Sequence, residues 1–244
     1  EAAVAAMNLM GYDAAAVGNH DFDSGTRHLQ ELHKAATFPF LCSNVRPQEP
    51  ATCARYAIKI LGTLRIGLIA LIGKKSYPDA FTRAAVREVE FHDPIVAAQK
   101  AAEELRDRAD LLVAITHQDT EEDLALAKAV PALDIIIGGH TEGFDGLISR
   151  GASVPAEGRV ELAGAGPVFV KTHRQGRTLG RLDLVIHDKT IMVAEARNLP
   201  VTAAVPSDPE ASKFVQEYAK RLDKNTTAVT GKATQPDIPA AGAR

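Results

Sequence analysis

Three features of the 244-residue sequence predict an α/β fold. Helical patterns alternate with apolar strand-like runs over the first 140 positions or so, which is the signature of strands covered by crossover helices. Three of those runs stop at polar motifs that hold a histidine: Gly18-Asn19-His20-Asp21, Thr116-His117-Gln118-Asp119 and Gly138-Gly139-His140. Beyond residue 145 the texture changes to short alternating strands separated by Gly-containing turns, the pattern of an antiparallel region on the same domain.

Taken in order, residues 1–10 place Ala3, Val4, Met7 and Met10 at helical spacing, with Gly11 as the C-cap. Residues 12–17 read as a buried strand. Ser24 is the expected N-cap of a helix running to about Ala36, and residues 38–45 (FPFLCSNV) read as the next strand. Residues 55–61 and 65–72 flank Gly62-Thr63, a hairpin turn. Asp93-Pro94 supplies a cap and a first-turn proline for a helix through residue 110, with Ile95, Ala98, Ala102, Leu105 and Ala109 on one face. Residues 110–115 (DLLVAI) form a continuous apolar run, as a central strand buried on both faces requires. A helix over 121–130 and a strand over 133–137 follow. The antiparallel region is assigned residues 159–163, 168–171, 179–187 and 190–198, and a last helix spans 210–224 with an apolar stripe of Phe214, Val215, Tyr218 and Leu222.

Composition excludes several partners. A net charge of −3 with 24% charged residues gives no electrostatic reason to expect a nucleic acid polymer or an anionic membrane surface, so the ligand has to be argued from a site. No apolar run approaches the length of a transmembrane segment, and no secretion signal opens the sequence. Cys42 and Cys53, eleven positions apart, permit either one disulfide or two buried thiols. The chain opens inside a helical pattern without an initiator Met and closes in TQPDIPAAGAR; both ends are expected of a piece of a longer polypeptide, and a disordered tail accounts equally for the second.

Ligands of open α/β sheets sit outside the carboxyl ends of the strands, so the three histidine motifs mark the candidate site. Gly-Asn is also an ordinary turn dipeptide, and that bland reading weakens only because two further strands end the same way. Neutral imidazole with carboxamide or carboxylate oxygen suits Zn, Mn, Fe or Ni. Asn19, His117 and His140 are placed to converge on such an ion. His20 followed by Asp21 reads as a proton donor with an orienting carboxylate; Asp119 and Asp123 are candidates to support His117 from behind, although a helix N-terminus attracts carboxylates in any case through its dipole. His28, His33, His92, His173 and His187 are expected on the surface, and Lys74-Lys75 in a solvated loop.

The motifs GNHD, FPFLCSNV, THQDTEEDLALAK and LDIIIGGHTE, in that order, resemble the catalytic domain of the 5′-nucleotidase branch of the calcineurin-like metallophosphoesterases, over about residues 1–230. The resemblance implies a four-layer αββα sandwich with an incomplete N-terminal strand region. It implies a hydrolase using metal-activated water on a nucleotide or related small phosphate ester, with two divalent ions in the intact enzyme. Asn19, His117 and His140 would then bind the second ion, and Glu142 would ligate where relatives carry His, Gln or Asn. His20, paired with Asp21, would act near the leaving-group oxygen. The family's Asp-x-His and Gly-Asp motifs and its C-terminal nucleotide-binding domain have no counterpart in these residues. The expected layout is a catalytic domain over 1–205, a linker helix over 206–230 and a tail over 231–244. Relatives of this branch are exported, so a periplasmic or extracellular location is implied. Two alternatives stay open: an incomplete remnant serving as a binding or scaffold module, and the same fold acting on cyclic phosphodiesters or sulfur-containing substrates.

Overall fold

Leu111–His117 is an inner strand of the main sheet, and the site is laid out from its carboxyl end. A computed structural model describes residues 1–48, 52–78, 81–141, 147–149, 153–155, 159–162, 166–173 and 175–227. The elements run α1 (Ala2–Met10), β1 (Ala15–Ala16), α2 (Thr26–Ala35), β2 (Phe40–Leu41), β3 (Val45–Pro47), β4 (Tyr56–Leu61), β5 (Leu64–Ile72), α3 (Arg83–Glu88), β6 (Val89–Phe91), α4 (Pro94–Leu105), β7 (Leu111–His117), α5 (Thr120–Ala129) and β8 (Ile135–Gly138). They continue with β9 (Leu147–Ser149), β10 (Ser153–Pro155), β11 (Arg159–Leu162), β12 (Val168–Lys171), β13 (Thr178–His187), β14 (Thr190–Pro200) and α6 (Pro209–Thr227).

Seven strands form the main sheet in the order β10-β9-β12-β8-β7-β5-β4. The four inner strands are parallel, and antiparallel strands close both margins. Leu111 to Ala114 of β7 are buried, as the unbroken apolar run requires of a strand covered on both sides. On one face, Ala98, Ala101 and Leu105 of α4 and Leu126 of α5 pack on Ile69, Leu71, Leu112 and Ile136. On the other, Leu111, Val113, Ile135 and Val168 meet Ile191, Ala194 and Ala196 of the three-stranded sheet β11-β14-β13. A separate parallel pair, β1 with β2, packs with Val4 of α1 and Leu29 of α2. Helices on one face of the main sheet and the three-stranded sheet on the other give a layered, mixed α/β architecture.

Several local expectations need correction. The strand expected over 12–17 is only Ala15–Ala16. Ser24 does not cap α2: Gly25 holds the N-cap position, and the Glu88 carboxylate accepts from the Thr26 amide at 2.7 Å, so a distant side chain does the capping. Residues 168–171 leave the antiparallel region and join the main sheet as β12, parallel to β8, with Lys171 opposite Gly138. Cys42 and Cys53 are bridged, with Cα atoms 5.8 Å apart. The Gly62-Thr63 hairpin and the Asp93 cap stand where the sequence puts them, with Asp93 Oδ1 accepting from the amides of Ile95 and Val96.

The chain divides into two compact units between Val205 and Pro206. The described part of the second is α6, capped by Asp208, whose Oδ1 accepts from the Ala211 amide at 2.8 Å. The Phe214 and Tyr218 rings lie 5.6 Å apart along it, tilted by 40°, while Val215 and Leu222 are exposed.

Candidate metal centre

Register places the site. Ile72 pairs with His117, Thr116 with Gly138, and Lys171 with Gly138, so the carboxyl ends of β5, β7, β8 and β12 come level at one edge. His117 is the last residue of β7, and the Gly73 amide donates to its carbonyl at 3.0 Å. Its ring lies against Gly18, where a Cβ would come within 2.9 Å of the imidazole. A residue with a side chain there would push the ring away, which gives the glycine of GNHD a packing reason. Asn19 follows in a single 3₁₀ turn, Asn19–Phe22, and is buried.

Three side chains from three segments then converge. His117 Nε2 stands 2.8 Å from Asn19 Oδ1 and 3.0 Å from His140 Nδ1, and the two rings meet edge to face at 4.7 Å. His140 adopts φ 68°, a left-handed conformation uncommon for a residue with a side chain and concentrated at functional sites. That turn of backbone aims Nδ1 at His117 and leaves Nε2 to the buried Ser76 hydroxyl at 3.2 Å. A partner on the outer nitrogen fixes ring orientation in metal-ligating histidines. His117 has its pKa lowered to about 4, first by burial and then by the charges of His140, His20 and Lys171. It is therefore neutral at pH 7, the state a ligand needs.

The donor set fits a divalent transition ion. One amide oxygen and two imidazole nitrogens point at a common space, and their spacings are a few tenths of an ångström under the ~3.3 Å expected of neighbours sharing one tetrahedral ion. Among the described residues no three His, Cys, Asp or Glu side chains come together, so the cluster rests on the two histidines and the amide. Glu142 lies outside the described residues.

Other expected roles are redistributed. His20 is exposed, and its carboxylate partner is Asp23, with Nδ1 2.9 Å from Oδ2. Asp21 does not pair with it: Asp21 Oδ2 accepts from the Gly18 amide at 2.7 Å and closes the turn. One 3₁₀ turn brings residues three apart to the same side, which is why i+3 takes the histidine. Asp119 stands nearer His140, 3.9 Å from Nε2, than behind His117, and it caps α5 in a reciprocal pair with Glu122. Asp123 holds the neighbours of His117, accepting from the Thr116 hydroxyl at 2.6 Å and the Gln118 amide at 2.9 Å. Lys74 and Lys75 are engaged by Asp93 and by Asp119 with Glu121. Two residues at the site carried no sequence signal: Ser76, and the buried Lys171, whose ammonium pairs with Asp123.

No protein-family model matches the chain. Over 93% of its length it is 27% identical to Protein UshA of Yersinia enterocolitica, 25% to the 5′-nucleotidase of Bos taurus and 28% to the snake venom 5′-nucleotidase of Naja atra. Among solved structures, the 5′-nucleotidase precursor of Thermus thermophilus superposes with a TM-score of 0.75 at 27% identity, covering 91% of this chain and 46% of that one. The chain is similar to 5′-nucleotidases over nearly its whole length. The calcineurin-like phosphoesterase YfkN of Bacillus subtilis shares the fold, with a TM-score of 0.73 at 20% identity over 93% of this chain and 75% of that one. The chain spans 48, 41 and 45% of the length of the three curated relatives it matches.

Proposed function

We propose that these residues are the catalytic portion of a metal-dependent hydrolase of phosphate esters, with a nucleotide as substrate. The observation that carries the reading is the meeting of Asn19, His117 and His140 at one edge of the sheet, within 2.8 and 3.0 Å of one another. These three side chains would hold an ion of the Zn, Mn, Fe or Ni class, which when bound supplies charge for the phosphoryl oxygens and an activated water. Glu142, two positions after His140, is a further candidate ligand, and two ions are expected in the whole enzyme. His20 has Nδ1 held by Asp23, so its Nε2 is the edge that can hand a proton to the departing oxygen. Asp21 acts on the same turn by fixing Gly18, which in turn admits the His117 ring.

An oxidising, exported setting is supported by the Cys42–Cys53 bridge and by the similarity to a snake venom enzyme. No helix among the described residues is long and apolar enough to cross a membrane.

The test is metal content and hydrolysis of nitrophenyl phosphate, a nucleoside monophosphate and a cyclic phosphodiester, on this chain and on a longer form. His117→Ala should abolish metal binding, and His20→Ala should lower kcat roughly 10²–10⁴-fold while metal stays bound. A longer form that takes up no metal and cleaves none of the three esters would sink the reading; cleavage of the cyclic ester alone would move the substrate class.

A further inference from the structure

Lys171 is a strand-end lysine with its side chain 2% exposed, and it reaches Asp123, whose side chain is 0% exposed, at 3.1 Å. Its ammonium has three hydrogens, and acceptors within reach include the Gln118 carbonyl at 3.1 Å, Thr120 Oγ1 at 3.3 Å, Asp123 Oδ2 at 3.1 Å and Thr141 Oγ1 at 3.1 Å. Desolvating two charges offsets much of their attraction, and such pairs can often be replaced by apolar groups without loss of stability. Stability therefore gives a weak account of this one.

Where the bonds go gives a better account. Gln118 and Thr116, the two chain neighbours of His117, both donate to Asp123 Oδ1. Thr141, the residue after His140, accepts from Lys171 and from the Thr120 amide. Gly138 opens the room: a Cβ there would stand 2.8 Å from Asp123 Oδ2 and 3.2 Å from Lys171 Cε. One buried pair thus grips the residues on both sides of His117 and the turn that holds His140 at φ 68°.

We propose that the Lys171–Asp123 pair is a positioning device that sets the approach of His140 Nδ1 to His117 Nε2, and through it the affinity of the metal centre. Both residues act through the histidines and touch no substrate. The inference rests on the metal-site reading above, and its first readout needs no metal.

The experiment compares the full chain with Lys171→Met/Asp123→Asn, which removes both charges while the Asn oxygen still accepts from Thr116 and Gln118. Imidazole nitrogen NMR of the metal-free protein should show the His117 and His140 resonances displaced, with His28 and His187 unmoved. Titration with Zn²⁺ or Mn²⁺ should show affinity lowered about 10–100-fold, with the thermal midpoint within a few degrees of the parent. Unchanged imidazole spectra, or unchanged metal affinity, would overturn the proposal. Should the double variant fail to fold, Thr141→Val cuts only the branch to His140; it should displace the His140 resonance and weaken metal several-fold, and a parent-like result would overturn the proposal equally. A parent chain that binds no metal and hydrolyses nothing defeats the reading of function, while the metal-free spectra still decide the brace.

Discussion

The two ends of β7 solve the problem of an inaccessible carboxylate in opposite ways. At the amino end, Asp110 is 3% exposed, yet its partners Arg65 and Lys189 are 40% and 65% exposed, so the charge is met by cations that remain in water. Arg65 bonds it through its backbone amide at 2.8 Å and its guanidinium at 2.9 Å, and the Asp110 carboxyl is held well below the usual carboxylate range. At the carboxyl end, Asp123 faces a lysine as buried as itself, and burial pushes its carboxyl up against the pull of Lys171, Thr116 and Gln118. The first arrangement ties a strand edge down with hydrated groups. The second excludes water beside the two histidines, where a fixed charge pair holds geometry more firmly because little solvent can replace it.

The larger expected effect breaks the buried end. Lys171→Met leaves Asp123 without its countercharge and should cost about 3–5 kcal/mol of stability in urea unfolding; a loss under ~1 kcal/mol would mean that Asp123 has relaxed to water or is protonated, and the contrast between the ends would fall.

The smaller effect sharpens the exposed end. The folded pKa of Asp110 is depressed below the unfolded ~3.9, so its contribution is fully present above about pH 4 and is lost as pH falls through the folded value. Comparing the parent with Asp110→Asn, the stability gap should be constant from pH 7 to about pH 5 and shrink below pH 4. High salt should narrow it too, since the partners are exposed. A gap that widens on acidification would reverse the assignment.

Much of this was legible in the sequence, and the reasons differ by residue. The apolar run before His117 announces a central strand because nothing polar in it could face water. Asp93-Pro94 and Gly62-Thr63 act within a few residues, so local chemistry decides them. Residues 168–171 were misplaced because three apolar residues and a lysine carry no record of which sheet they join; that is settled by the parallel pairing with Ile135–Gly138. The exchange of Asp21 for Asp23 beside His20 turns on a single 3₁₀ turn, which the tetrapeptide does not distinguish from other turns. Lys171 was invisible because its partners Gln118, Thr120, Asp123 and Thr141 lie 30 to 53 positions away and are ordinary surface residue types. The cysteine spacing likewise allowed two outcomes that only folding separates.

The central claim is that Asn19, His117 and His140 are one ligand cluster, and that the two histidines present different nitrogens to it. Imidazole ¹⁵N shifts followed during Zn²⁺ titration test this most directly. The account predicts that Nε2 of His117 and Nδ1 of His140 respond together at one equivalent, with the exposed His20 responding little. A response at His20 or His28 alone, or at Nδ1 of His117, would contradict it.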